Sequence, residues 1–131
     1  MRRIVRLAIG SVLALSITAS LAASAYAADE SVDVQITATD FAFSSSETTF
    51  AVGTPYRFIL TNQGLLAHDW MIMPLGETDE DMALAMIEDD EFGAGTTTTI
   101  EFTFSEPGEY EFACHVLAHY ETGMLLPITV E

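Results

Sequence analysis

From residue 32 onward the sequence is written largely at a period of two. In "VDVQITATDFAF", Val32, Val34, Ile36 and Ala38 alternate with mostly polar neighbours, the pattern of a strand with one buried face. "TTFAV" and "YRFILTN" are further strand-like runs joined by the turn "GTP", and "NQG" ends the second. "HDWMIM" sets His68, Trp70 and Ile72 on one face and Met71 and Met73 on the other. "TTTTIEFTF" is rich in β-branched and aromatic residues, "SEPGEYEF" turns into another strand, and "MLLPITVE" closes the chain. Short strands separated by turn signals predict an all-β fold, an antiparallel β-sandwich. One segment departs from the period. "GETDEDMALAMIEDDEFGAG" predicts a short helix or flap around 78–90, with Thr78 as N-cap and Met82, Ala85 and Met86 on one side. Acids at its far end (Asp89, Asp90, Glu91) oppose the helix dipole and keep it short.

The first 27 residues lie outside this pattern. Arg2, Arg3 and Arg6 precede an uncharged run, and small residues stand at Ala25 and Ala27, the layout of a secretory leader cleaved after Ala27. The uncharged stretch 7–28 is also long enough to span a bilayer, so a retained membrane anchor is the alternative. Either reading exports residues 28–131, one domain with one core, to the periplasm or the cell exterior. Without the leader, Arg57 alone stands against all 20 acids, a net charge of about −19. Such a field repels nucleic acid and anionic membranes and favours a basic partner. Adaptation to salt is a second reading, and a plain solvated surface is the simplest account. "EDDE" at 88–91 lacks the glycine and ligand spacing of a calcium loop and reads as solvated surface.

The single cysteine, Cys114, excludes an internal disulfide, and a lone thiol in an oxidising compartment has to be buried or occupied. It sits in "EYEFACHVLAHYETGM", where Tyr110 and Phe112 precede it on the same strand face. Four residues separate Cys114 from His119, and four more separate His119 from Met124. A loop over 114–124 therefore gathers a thiolate, an imidazole and a thioether at one end of the sandwich. Two histidines and a cysteine in a trigonal set, with a weak axial methionine, are the ligands of an electron-transfer copper site. The second histidine has to come from outside this stretch, and His68 is the one available. His115 is left over and is expected to point away from Cys114, at or near the surface.

These residues resemble the cupredoxins, the small type 1 (blue) copper proteins, over essentially the whole of 28–131. The matching stretches are "DFAF", "GTPYRFILTNQGLLAHDWMI" and "GEYEFACHVLAHYETGM", with azurin-like and auracyanin-like spacing between cysteine and histidine. The resemblance implies a Greek-key sandwich and one copper ion, with His68, Cys114 and His119 as equatorial ligands and Met124 as the axial one. Asp69 stands where many relatives have an asparagine that ties the two ligand loops together. The ligand loop is also similar to the last domain of multicopper oxidases. There the cysteine is flanked by two histidines, whereas here Ala113 takes the first flank and only His115 the second. Three histidines and no His-X-His pair cannot build a trinuclear cluster.

The resemblance implies a carrier rather than an enzyme: an exported protein that passes single electrons by Cu(II)/Cu(I) cycling. Its partners would be redox proteins such as a cytochrome or a copper oxidase, met as a monomer at an apolar patch of Val116, Leu117 and Leu125. The alternative is a periplasmic copper-binding or copper-delivery protein. Trp70, Phe104, Tyr110 and Phe112 are expected in the core, and Met71, Met73, Met82 and Met86 as flexible filler.

Overall fold

A computed structural model describes residues 30–131, so the predicted leader at 1–27 lies outside the described residues. Nine strands form two facing sheets. One contains β1 (Val32–Thr39), β2 (Ala42–Ser45), β4 (Pro55–Asn62) and β7 (Thr97–Thr103), in the order β2-β1-β4-β7. The other contains β3 (Thr49–Phe50), β5 (Trp70–Pro74), β6 (Ala85–Ile87), β8 (Gly108–Ala113) and β9 (Leu125–Val130), in the order β3-β9-β8-β5-β6. The predicted β-sandwich is present, but its pairing is mixed. β1 runs parallel to β4, and β3 runs parallel to β9. The reason lies in the path: after β2 the chain crosses to the other sheet as β3, then returns beside β1 in the same direction. Parallel neighbours need such a crossover, which a hairpin alone cannot supply. Arg57 faces its register partner Asp33 across the β1–β4 pair, with two hydrogen bonds of 2.7 Å.

Alternation places the core as read. Val34, Ile36 and Ala38 of β1 and Tyr56, Phe58 and Leu60 of β4 are buried against Trp70, Ile72, Phe112, Ile128 and Val130 of the other sheet. Val32 is exposed at the strand end. Phe58 lies at the centre, with ring centroids 5.3 Å from Trp70 and 5.7 Å from both Phe50 and Phe112. Phe104 is buried too, while Tyr110 packs at the margin. This aromatic mass lies directly beneath Cys114 and Met124, which belong to the same core.

The helix expected at 78–90 is not formed. A single 3-10 turn (Glu80–Met82), capped by Asp79 rather than Thr78, leads into β6. The open edge of β5 competes for this backbone and wins: Trp70, Met71 and Ile72 pair with Ile87, Met86 and Ala85. Ile87 then enters the core, while the acids on either side of it stay exposed. Met71 and Met73 fill a second cluster on the outer face with Ala113 and Tyr120, as their alternation requires. Met82 and Met86 do not serve as core filler, being 53% and 39% exposed.

Candidate metal centre

Two loops at one end of the sandwich carry the predicted ligands. The first follows β4. Asn62, wholly buried, continues the inward face of that strand and braces the turn after it. Its Nδ2 donates to the carbonyls of Leu66 (2.8 Å) and Phe92 (3.0 Å), and its Oδ1 accepts from the Gly64 N–H (2.9 Å). His68 follows, its N–H donating to the Phe92 carbonyl at 3.2 Å.

The second loop leaves β8 at Cys114 and folds around the His119 carbonyl. That oxygen accepts from the Thr122 hydroxyl (2.8 Å), the Met124 N–H (3.0 Å) and the Thr122 N–H (3.2 Å). Gly123 supplies the positive φ of 99° that turns the chain back. Met124 thereby returns to Cys114, whose N–H donates to its carbonyl at 3.1 Å. Asp69 ties the two loops together: its Oδ1 accepts from the His115 N–H at 2.8 Å. A carboxylate thus makes the link that the resemblance assigns to asparagine.

The donor atoms converge. His68 Nδ1 lies 3.2 Å from His119 Nδ1 and 3.8 Å from Cys114 Sγ, and Sγ lies 3.4 Å from His119 Nδ1. A point equidistant from all three is about 2.0 Å from each, close to the ~2.0–2.1 Å that imidazole nitrogen keeps from a divalent ion such as zinc. His68, Cys114 and Met124 are fully buried, and His119 is 5% exposed. Met124 lies in the same buried cluster as Cys114. Two imidazole nitrogens and a sulfur, buried and turned toward one point, form a donor set that a single cation can satisfy. Thiolate, imidazole and thioether together suit copper and not a hard, oxygen-seeking ion.

Electrostatics fit that role. Burial, and then the neighbouring His119, lower the pKa of His68, so its imidazole is held neutral and able to ligate. Burial, and then the charge of Asp69, push the Cys114 thiol up to about 12, so without a metal it keeps its proton.

His115, expected at or near the surface, is only half-exposed. Its ring stacks on Tyr120 at 4.6 Å and 19°, and its Nε2 is buried without a hydrogen-bond partner. Tyr120 in turn donates to Glu111, a buried carboxylate, at 2.7 Å. Of the expected apolar patch, Leu117 is 91% exposed, while Val116 and Leu125 are partly buried. Sequence reasoning missed Leu65, Leu66 and Phe41, which are exposed on the same loops and the neighbouring turn. It also missed Asn62 and Asp40. The "N" of "NQG" and the "D" of "TDF" are the signals, since both residue types bind nearby backbone in turns.

The family model for the cupredoxin-like domain matches residues 10–126. Auracyanin from the photosynthetic bacterium Roseiflexus castenholzii, reduced with dithionite, is 24% identical with a TM-score of 0.63, covering 77% of this chain and 98% of its own. Auracyanin A, a "blue" copper protein from Chloroflexus aurantiacus, is 19% identical with a TM-score of 0.61, over 78% of this chain and 100% of its own. A multi-copper oxidase from Pediococcus acidilactici is 16% identical with a TM-score of 0.54, over 93% of this chain but 29% of its own. At these identities the likeness is one of fold. A comparison with curated protein sequences finds no match.

Proposed function

We propose that this chain, which belongs to the cupredoxin-like domain family, carries single electrons between redox partners on one type 1 copper ion held by His68, Cys114, His119 and Met124. The observation that carries the reading is the buried triangle of two Nδ1 atoms and one Sγ, with sides of 3.2 to 3.8 Å. Bound copper supplies a one-electron couple, Cu(II)/Cu(I). The residues do the rest. His68 and His119 present Nδ1, Cys114 presents sulfur once its proton is lost, and the surrounding core excludes water. The loops are braced by Asn62, Asp69 and the His119 carbonyl, so the donors keep one arrangement in both oxidation states.

His119 is the ligand nearest solvent, and the exposed Leu117 beside it gives a partner an apolar place to dock. The acidic surface steers a basic partner such as a cytochrome to the monomer. The basic-then-apolar start of the chain supports export, and among the described residues no helix is long and apolar enough to cross a membrane.

The test is the visible spectrum of the protein loaded with Cu(II). An intense thiolate-to-copper band is expected, and Cys114→Ser abolishes it. Copper bound without that band refutes the electron-carrier reading and leaves copper delivery in its place.

A further inference from the structure

Among the described residues, only Phe41 and Leu117 are non-glycine residues with positive φ, at 69° and 50°. Both stand at His119. Leu117 precedes it by two residues, and the Phe41 ring meets its imidazole edge-on at 5.1 Å between centroids. Phe41 is the second residue of a two-residue hairpin loop, Thr39 and Ala42 being the last pair of β1 and β2. A positive φ at that place in a turn ordinarily selects glycine or asparagine, and a bulky side chain there is strained. Burial does not compensate, since Phe41 remains 45% exposed.

The other loop residue, Asp40, faces the second histidine. Its Oδ1 accepts from the N–H groups of Leu65 (2.9 Å) and Leu66 (3.2 Å) and lies 3.7 Å from His68 Nε2. Nδ1 of His68 is turned to the donor cluster, so the ring proton belongs on Nε2. That nitrogen is buried and has no hydrogen-bond partner. A Cβ on Gly64 would overlap the Asp40 carboxylate, so glycine there is what lets Asp40 approach.

We infer that the Asp40–Phe41 hairpin tip is a positioning clamp on both histidines of the centre. Asp40 sets its negative charge 3.7 Å from the His68 Nε2–H, steadying the ring and making it a stronger electron donor, and Phe41 is held in a strained conformation to cap His119. The inference rests on the copper-ligand reading above. A ligating histidine's second nitrogen commonly meets such an acceptor, and strained backbone concentrates where function demands it.

Asp40→Asn keeps an oxygen for the Leu65 and Leu66 N–H groups but removes the charge that favours Cu(II). The expected result is an about tenfold loss of Cu(II) affinity relative to Cu(I), seen as a reduction potential higher by about 59 mV. Phe41→Gly relieves the turn. It is expected to raise the melting temperature of the metal-free protein while a chelator strips its copper about tenfold faster. Either an unmoved potential in Asp40→Asn or unchanged copper loss in Phe41→Gly overturns the clamp. The wild-type spectrum separates the two levels: with the thiolate band present, those results sink the clamp alone, and without it the ligand reading falls first.

Discussion

Copper uptake should expel a proton from Cys114, and the pH dependence follows from the burial of the thiol. Its side chain is fully buried, and burial together with Asp69 raises its pKa from 9.0 to about 12. Copper binds the thiolate. At pH 7 the metal-free thiol is therefore about five units below its pKa, and ionising it costs about 7 kcal/mol at ~1.36 kcal/mol per unit. An unburied thiol near 9 needs about two units, or ~3 kcal/mol. Apparent Cu(II) affinity should thus rise about tenfold per pH unit from pH 7 to 9. His68, lowered by burial and by His119, is already neutral in this window and adds no proton. Competition against a chelator of known protonation constants gives the slope, and an indicator dye in weak buffer counts the protons released. A flat affinity profile, or less than about half a proton per copper at pH 8, would show that the thiol is already ionised, refuting the burial argument.

The same shift makes the metal-free fold alkali-sensitive. The folded thiol holds its proton up to about 12 while the unfolded one loses it near 9, so this contribution is intact below pH 9 and lost between 9 and 12. The unfolding free energy from urea titration should fall over that window by roughly 1.4 kcal/mol per unit, and copper loading should remove the fall between pH 9 and 10, below the range where Tyr120, raised to about 12, adds its own. Tyr120→Phe leaves the buried Glu111 carboxylate without its donor, at a cost of about 1–3 kcal/mol in urea unfolding. The same change should cost less in a Glu111→Gln background. Reduction by a basic cytochrome should slow steeply with added salt, whereas reduction by a neutral small molecule should not. Equal salt dependence for both reductants counts against electrostatic steering.

The gathering of His68, Cys114 and His119, with Met124 buried in the same cluster, was legible because each is a chemically distinctive side chain whose spacing survives any detail of the loop. Cys114 continues a strand face, so its inward direction follows from Phe112, and the return of Met124 needs only a loop of the right length. The parallel pairing of β1 with β4 was not legible, since alternation reports which face is buried and says nothing of which neighbour a strand takes. At 85–87 the apolar pattern fits a helix and a strand equally, and the vacant edge of β5 decides the outcome from another part of the chain. His115 was taken for a surface group because the partner that covers it, Tyr120, reaches it only once the ligand loop has closed. Asp40 and Phe41 lie 28 and 78 residues from the histidines they approach. Only the sheet brings them there, and a bulky residue at a glycine position in a tight turn is the trace they leave in the sequence.

The carboxylates around the centre act in opposite directions before and after a metal is bound. In the metal-free protein Asp69 opposes ionisation of Cys114, so it makes the empty thiol harder to open to a cation. Once a cation is bound, the same negative charge, with Asp40 at the far nitrogen of His68, favours the more highly charged oxidation state. A neutral asparagine in place of Asp69 could brace the loops through the same oxygen without doing either. Aspartate at both positions therefore joins two roles in one side chain, of which loop bracing needs only the oxygen. The backbone hydrogen bonds of Asp69 and Asp40 brace the two loops of the donor triangle, while on the proposed copper reading their charges would bias the electron held there. Replacing each with its amide isolates the second function, because the geometry is retained and only the charge is removed.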